Sequence, residues 1–209
     1  LRKAGFEVWT TGSGADALAL LEHRGLPHLA IVDLLMPGMS GDELCRQLQE
    51  FTDLPIITLT SVKDKETTAD ALRRIAEDYV VKPFDPGEFV ARIERLLRRI
   101  GDFAYALEPR IDVDDRLQVE FARRTAFLDG QAIELTPTET KLLYILMRNA
   151  GRTVVTDYLI RRMWPLDEVF EEALRTHIYR LRRKIEPEVT KPRYVITRRG
   201  IGYSFAART

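Results

Sequence analysis

A single cysteine, Cys45, stands among the 209 residues. One thiol cannot form an intramolecular disulfide or a cysteine-rich zinc site, so scaffolds that depend on either are excluded. Long apolar runs are also missing. None approaches the roughly 18 residues that a membrane-spanning helix needs, so no membrane partner is expected. No secretory leader is visible, since the chain opens Leu1-Arg2-Lys3-Ala4-Gly5. Without an initial methionine, this opening reads as a start inside a structural unit. The expected protein is soluble and cytoplasmic. Net charge is the last absence: 32 Lys and Arg are matched by 32 Asp and Glu.

What is there suits compact folding. The hydrophobic fraction is 45% and the charged fraction 31%, with signs mixed, which provides for buried cores and argues against disorder. At ~100–200 residues per domain, the length fits two domains. The neutral total conceals a gradient. Residues 1–100 hold 13 basic and 16 acidic residues, whereas residues 101–209 hold 19 and 16. Residues 173–209 hold ten basic residues against Glu186 and Glu188 alone. A basic end on a neutral chain points to an anionic partner there, nucleic acid first.

Residues 1–100 alternate strand and helix. Phe6–Thr10 reads as a short strand. Ser13 caps a helix through about His23, with Ala17, Leu18, Leu20 and Leu21 on its apolar side. Leu29–Asp33 is nearly all apolar, as expected of a parallel strand buried on both faces. Pro37 and Gly38 break the chain, and Asp42–Glu50 reads as helix. Pro55–Thr60 is a second buried strand, Asp64–Ala76 a helix and Tyr79–Lys82 a third strand. Asp85-Pro86-Gly87-Glu88 carries the cap, first-turn proline and acidic third residue of a helix start. That helix runs to about Ile100. Such alternation implies an α/β fold, a doubly wound parallel sheet with helices on both faces.

Residues 101–115 lose periodicity and read as a linker between a domain at 1–100 and one at 116–209. From Arg116 the pattern turns antiparallel: Leu117–Phe121, Thr125–Leu128, the turn Asp129-Gly130, then Ala132–Leu135. Thr136-Pro137-Thr138-Glu139 is a capping box with proline at the first helical position. Its helix carries Leu142, Leu143, Ile145 and Leu146, and Gly151 lies past its end. Helices follow at about Thr156–Met163 and Phe170–Ile185. Tyr194–Thr197 and Tyr203–Phe205 form a final hairpin around Arg198-Arg199-Gly200-Ile201-Gly202. Helix, helix, longer basic helix and hairpin make an α+β winged helix-turn-helix with an added N-terminal antiparallel sheet.

Chemistry gathers where the parallel strands end. That edge is where open α/β sheets bind ligands. Asp33 ends one strand, and a carboxylate there can attack phosphorus to form an acyl phosphate. Thr60 and Lys82 end the next two, supplying a hydroxyl and a cation for phosphoryl oxygens. Each residue taken alone is as readily a loop cap, an ordinary strand residue or a solvated charge. The three together, at successive strand ends, favour a phosphoryl site. The helix near Phe170–Ile185 buries Leu174, Ile178, Leu181 and Ile185, spaced four, three and four apart. Arg175, Thr176, Tyr179, Arg180, Arg182 and Arg183 spread over the remaining surface. A helix so built can lie in the major groove, where arginine reads guanine bidentately.

The segments Asp33-Leu-Leu-Met-Pro-Gly-Met-Ser-Gly41, Leu59-Thr60-Ser61 and Asp78-Tyr-Val-Val-Lys-Pro-Phe84 resemble the receiver domain of bacterial two-component response regulators, a flavodoxin-like fold. Leu135-Thr-Pro-Thr-Glu139, His177-Ile-Tyr-Arg-Leu-Arg-Arg-Lys184 and Thr197-Arg-Arg-Gly-Ile-Gly-Tyr203 resemble the winged-helix effector of the OmpR/PhoB subfamily. The likeness covers essentially the whole chain.

The resemblance implies a transcription factor, not an enzyme. Asp33 would accept a phosphoryl group from a sensor histidine kinase. Asp33 and the backbone carbonyl of Leu35 would help bind Mg²⁺. Thr60 and Lys82 would hold the phosphoryl group, Pro83 would follow a cis peptide, and Tyr79 would be an aromatic switch. A receiver homodimer would form through salt bridges of Asp70, Glu77 and Asp78 with Arg92, Arg95, Arg98 and Arg99. Double-stranded DNA would meet Thr176, His177, Tyr179, Arg180 and Arg183, with Arg199 in the minor groove and Thr197 and Tyr203 supporting or touching the backbone. His177 serves equally well as a core-facing residue. Asp167 and Glu168, beside the core anchor Trp164, would be the candidates for contact with RNA polymerase.

Three departures qualify the likeness. A receiver's first strand ends in an acidic pair that completes the Mg²⁺ site, and Leu1–Gly5 match the end of the helix after it, so that strand is missing from this sequence. Ile75 stands where the family usually has glycine. Glu172 and Arg175 depart from the common pattern, so no DNA preference can be borrowed. The missing acids support an alternative: a phosphorylation-independent DNA-binding regulator whose degenerate receiver only dimerises. A hydrolytic phosphotransferase is disfavoured, because no second catalytic acid, general base or glycine-rich phosphate loop is visible.

Overall fold

The computed structural model describes residues 1–61, 76–100, 108–165 and 169–206. The expected helix at Asp64–Ala76 therefore lies outside the described residues, as do Asp70, Ile75, Asp167 and Glu168. The chain divides into two compact units, Leu1–Gln47 with Leu54–Leu107 and Leu48–Asp53 with Glu108–Thr209. No helix among the described residues is long and apolar enough to cross a membrane.

The first unit is built on three parallel strands, β1 (Ala30–Asp33), β2 (Ile56–Ser61) and β3 (Asp78–Lys82), in that order. Among the described residues its helices are α1 (Gly14–Arg24), α2 (Gly41–Phe51, whose last turn falls in the second unit) and α3 (Pro86–Ile100). Ser13 caps α1 by accepting the Asp16 N–H at 3.2 Å. Asp85 does the same for α3, accepting the Glu88 N–H at 2.8 Å. The core gathers Ile57, Val80, Phe89, Ile93 and Leu96. β2, in the middle of the three, is buried almost throughout, whereas in β1 only Val32 is fully buried. The continuous apolar run of β1 therefore overstates its burial.

Phe6–Thr10 is not a strand: it joins no ladder among the described residues. Strand propensity becomes a strand only when a neighbour takes up the backbone groups. Here Phe6 packs against the core cluster. The Val8 carbonyl accepts from the Arg2 guanidinium at 3.2 Å. Arg2–Ala4 form a short 3₁₀ turn that ends at Gly5, φ 87°.

The second unit opens with an antiparallel sheet of β4 (Ile111–Asp112), β5 (Leu117–Glu120), β6 (Thr125–Leu128) and β7 (Gln131–Glu134). Its first strand falls within 101–115, the segment that reads as linker. Asp129 and Gly130 both take positive φ, 51° and 80°, as a two-residue turn matching strand twist requires. α4 (Pro137–Arg148) is the hub, buried without interruption from Glu139 to Met147. Its capping box is complete: Thr136 Oγ1 accepts from Glu139 N–H at 3.3 Å and Glu139 accepts from Thr136 N–H at 2.9 Å. β8 (Thr153–Val155), α5 (Thr156–Met163), α6 (Glu171–Ile185), β9 (Val195–Arg198) and β10 (Gly202–Phe205) complete the unit. A second sheet runs β8-β10-β9. α6 buries Leu174, Ile178, Leu181 and Ile185, the four residues its spacing selects.

Candidate functional sites

The parallel pairing brings β1, β2 and β3 to one edge, with Asp33 opposite Leu59, Thr60 opposite Val81 and Ser61 opposite Lys82. Lys82 Nζ is ion-paired with Asp33 Oδ2 across this edge. The Leu35 N–H donates to Asp33 Oδ1 at 3.2 Å. Both carboxylate oxygens thus have a donor, and both side chains keep about a third or more of their surface open to solvent, 35% for Asp33 and 41% for Lys82. The loop after Asp33 closes on itself. The Gly41 N–H donates to the Leu34 carbonyl at 3.2 Å, and a Cβ at Gly41 would collide with the Asp33 carbonyl oxygen and the Leu34 Cα.

Thr60 reaches the same edge and is 7% exposed. Its hydroxyl donates to the Ser61 carbonyl at 3.2 Å rather than to Asp33. The structure therefore joins Asp33 to Lys82 and leaves Thr60 beside them, bonded within its own strand. The Lys82–Pro83 peptide is cis. Tyr79 is 46% exposed and faces outward. For a divalent cation, the donors the resemblance implies are the Asp33 carboxylate and the Leu35 carbonyl, and no cluster of three His, Cys, Asp or Glu occurs among the described residues. One carboxylate with a carbonyl meets the minimum for Mg²⁺, which takes one or two carboxylates and fills the rest with water and phosphate oxygens. Receiver domains bind Mg²⁺ at acidic residues, and the residues present fit that donor set at its lower limit.

Of the residues expected at a receiver dimer, Asp78, Arg92, Arg95 and Arg98 have ion-pair partners within the chain, while Asp70 and the Arg99 side chain lie outside the described residues. Asp78 accepts from Arg92 at 3.1 Å and lies 3.9 Å from Arg95. Arg92 also pairs with Glu88 at 2.8 Å, and Arg98 with Glu94 at 3.8 Å. Glu77 donates its N–H to the Ile56 carbonyl.

In the second unit, α6 and the β9–β10 hairpin present the basic surface. Tyr179, Arg180, Arg183, Thr197 and Arg199 are exposed. Thr176 is exposed with its hydroxyl donating to the Glu172 carbonyl at 3.0 Å. Arg175, Arg198 and Arg199 line a cleft of about 650 Å³ together with Thr197, Asp157 and Glu171. Arg175 is paired there with Glu171 at 2.9 Å. Arg198 donates to the Ser204 hydroxyl at 3.0 Å.

Two residues expected at the DNA surface are less open to solvent than the others. Tyr203 is only 7% exposed, which fits support of the hairpin rather than contact. Burial pushes its phenol pKa up, with Arg175 and Arg182 opposing. His177 lies with its ring 5.4 Å from that of Trp164, and its buried Nδ1 has no hydrogen-bond partner among the described residues. Burial, then the nearby Arg180, holds the imidazole pKa below its ordinary value. The core-facing alternative for His177 is the one these contacts favour.

Two residues whose roles sequence reasoning did not find organise this surface. Arg182 turns from solvent to the hairpin, where it bonds Val195 and Thr197. Glu186, 4% exposed, accepts the backbone N–H groups of Arg193 (2.6 Å), Tyr194 (3.0 Å) and Val195 (2.7 Å). Glu186 and Glu188 are the two acids in an otherwise basic run, and that was the available signal, since an acid in such a run invites a structural role.

Residues 1–94 match the response regulator receiver domain, and residues 130–205 match the C-terminal domain of transcriptional regulatory proteins. The chain is 36% identical over 204 residues to the sensory transduction protein RegX3 of Mycobacterium tuberculosis, covering 97% of this chain and 89% of that protein. It is 36% identical over 205 residues to the transcriptional regulatory protein KdpE of the same species, with the same shares. Among solved structures, the response regulator DrrB, an OmpR/PhoB homolog from Thermotoga maritima, is 34% identical over 86% of this chain and 80% of its own, with a TM-score of 0.46. With a receiver followed by a winged-helix DNA-binding domain, the chain belongs to the OmpR/PhoB response regulators of two-component systems, a family of transcriptional regulators rather than enzymes.

Proposed function

We propose that this regulator is switched by phosphorylation of Asp33 by a sensor histidine kinase in the cytoplasm, with residues 1–100 as receiver, a linker that starts at 101 and stops short of β4, and the rest of the chain as effector. The Asp33–Lys82 ion pair at the sheet edge is the observation that carries this reading. A carboxylate oxygen of Asp33 attacks phosphorus, a P–O bond forms, and the P–N bond to the donor imidazole breaks. Lys82 then transfers its contact from the carboxylate to the phosphoryl oxygens. Thr60 exchanges the Ser61 carbonyl for one of those oxygens, and Tyr79 turns inward. Asp33 and the Leu35 carbonyl would hold Mg²⁺, which when bound would offset phosphoryl charge.

The added dianion biases the receiver toward a homodimer. For Asp78 with Arg92 and Arg95, dimerisation means exchanging pairs within the chain for pairs between chains. Exposed ion pairs are worth only ~0–1 kcal/mol, so such an exchange sets geometry at little cost. Dimerisation brings two effectors to two half-sites, where the second binding gains from effective concentration. Asp167 and Glu168 are the proposed contacts with RNA polymerase. Treatment with an acyl phosphate should raise affinity for duplex DNA in the native chain and leave Asp33→Ala unchanged. An Asp33→Ala protein that still responds would refute the switch and favour the phosphorylation-independent alternative.

A further inference from the structure

Arg182 lies on α6 among the arginines that surround its DNA-facing side, yet its guanidinium points at the hairpin. Nε and Nη2 both donate to the Val195 carbonyl, at 2.9 and 2.5 Å. Nη2 also donates to the Thr197 hydroxyl oxygen at 2.9 Å. Val195 and Thr197 are two residues apart on β9, so their side chains share one face of the strand. Thr197 pairs with the buried Tyr203 on β10. One planar fork thus ties the long helix to the strand that leads into the hairpin turn.

The bond to Thr197 also has a direction. A hydroxyl has one proton and two acceptor lone pairs. When the Thr197 oxygen accepts from a guanidinium, its proton is left to donate elsewhere. Thr197 is exposed, and it lines the same cleft as Arg198 and Arg199. A cation behind the oxygen strengthens donation to an anion in front of it.

We propose that Arg182 is a positioning residue for DNA binding, which locks the hairpin to the helix and sets the Thr197 hydroxyl as a donor to a DNA phosphate. This rests on the DNA-binding reading of the second unit. It also removes Arg182 from the set of arginines that touch DNA themselves. Lysine cannot replace it, because a compact ammonium does not reproduce the rigid fork that holds both acceptors.

The test uses the full chain and a short random-sequence duplex, with binding followed by fluorescence anisotropy over a series of KCl concentrations. Arg182→Lys keeps the charge, and its affinity should fall about tenfold, the loss of roughly one charge-assisted hydrogen bond. Its salt slope should stay at the native value, since no charged phosphate contact is lost. Thr197→Val should weaken binding of the native chain and add nothing to Arg182→Lys. Without DNA, amide exchange at residues 197–202 should quicken in Arg182→Lys. An Arg182→Lys protein within twofold of native affinity, or effects of the two substitutions that simply add, would overturn the proposal. A native chain with no salt-dependent duplex binding would fail the DNA reading instead, and the exchange experiment would then judge the brace by itself.

Discussion

Glu186 closes the long helix and opens the hairpin strand, so its removal should damage the DNA-binding unit more than any surface charge would. Its two oxygens receive three backbone N–H groups. Of these donors, Tyr194 and Val195 are 1% and 0% exposed, whereas Arg193 is exposed. In Glu186→Ala, water can replace the carboxylate at Arg193 but reaches the other two poorly. An orphaned buried donor costs ~1–3 kcal/mol and more where the lost partner was charged, so the total should be about 3–5 kcal/mol. Glu186→Gln keeps one acceptor oxygen but turns an NH₂ group toward a donor, so it should fall between native and alanine. Trp9 and Trp164 lie one in each unit, so a Trp9→Phe background leaves Trp164 to report the second unit alone. In urea, the midpoint of that transition should drop by at least ~1 M for the alanine variant at an m of ~1–3 kcal/mol/M. A loss below about 1 kcal/mol, or a glutamine variant worse than alanine, would refute this account of the carboxylate's role.

Two further outcomes follow from the same kind of geometry. Glu139 is almost fully buried; burial raises its pKa, but the bond from Lys184 at 2.7 Å and the Thr136 N–H outweigh it and hold the carboxyl below its ordinary 4.5. A carboxyl depressed on folding contributes stability that is complete above its unfolded pKa and is lost as pH falls through the folded one. Glu139→Gln should therefore flatten the acid limb of the stability profile below about pH 4.3, and an unchanged limb in pH-dependent urea melts would contradict it. Gly41→Ala should slow acyl-phosphate labelling of the receiver, because the added Cβ collides with the Asp33 carbonyl oxygen; labelling at the native rate would show that the loop yields without moving the carboxylate.

Local signals were legible wherever the deciding atoms are close in sequence. Asp129-Gly130 announces its turn, and Thr136 with Glu139 announces its capping box, because each motif contains both partners. The burial stripe of α6 follows from helical spacing alone. Asp33 and Lys82 lie 49 residues apart, yet the rule that parallel strands end on one side places both at the same edge. Phe6–Thr10 fails as a strand because its outcome depends on a neighbour that no local pattern encodes. Ile111–Asp112 were hidden because two residues carry no periodicity. Arg182 and Glu186 were misread or missed for one reason: each looks polar and solvent-facing until the hairpin is laid beside it; for His177, left open between DNA and core, the deciding neighbour is Trp164. Thr60 shows a finer limit, since its position at the strand end is legible but the partner of its hydroxyl is not.

The most direct measurement is the site of phosphoryl attachment. The native chain would be incubated with a small acyl phosphate and Mg²⁺, the acyl phosphate trapped by borohydride reduction, and the modified peptide sequenced by mass spectrometry. A reduced side chain at residue 33, absent when Mg²⁺ is chelated and slowed by Lys82→Ala, is the expected result. Modification spread over other carboxylates, or none at Asp33 in a folded chain, would contradict the account.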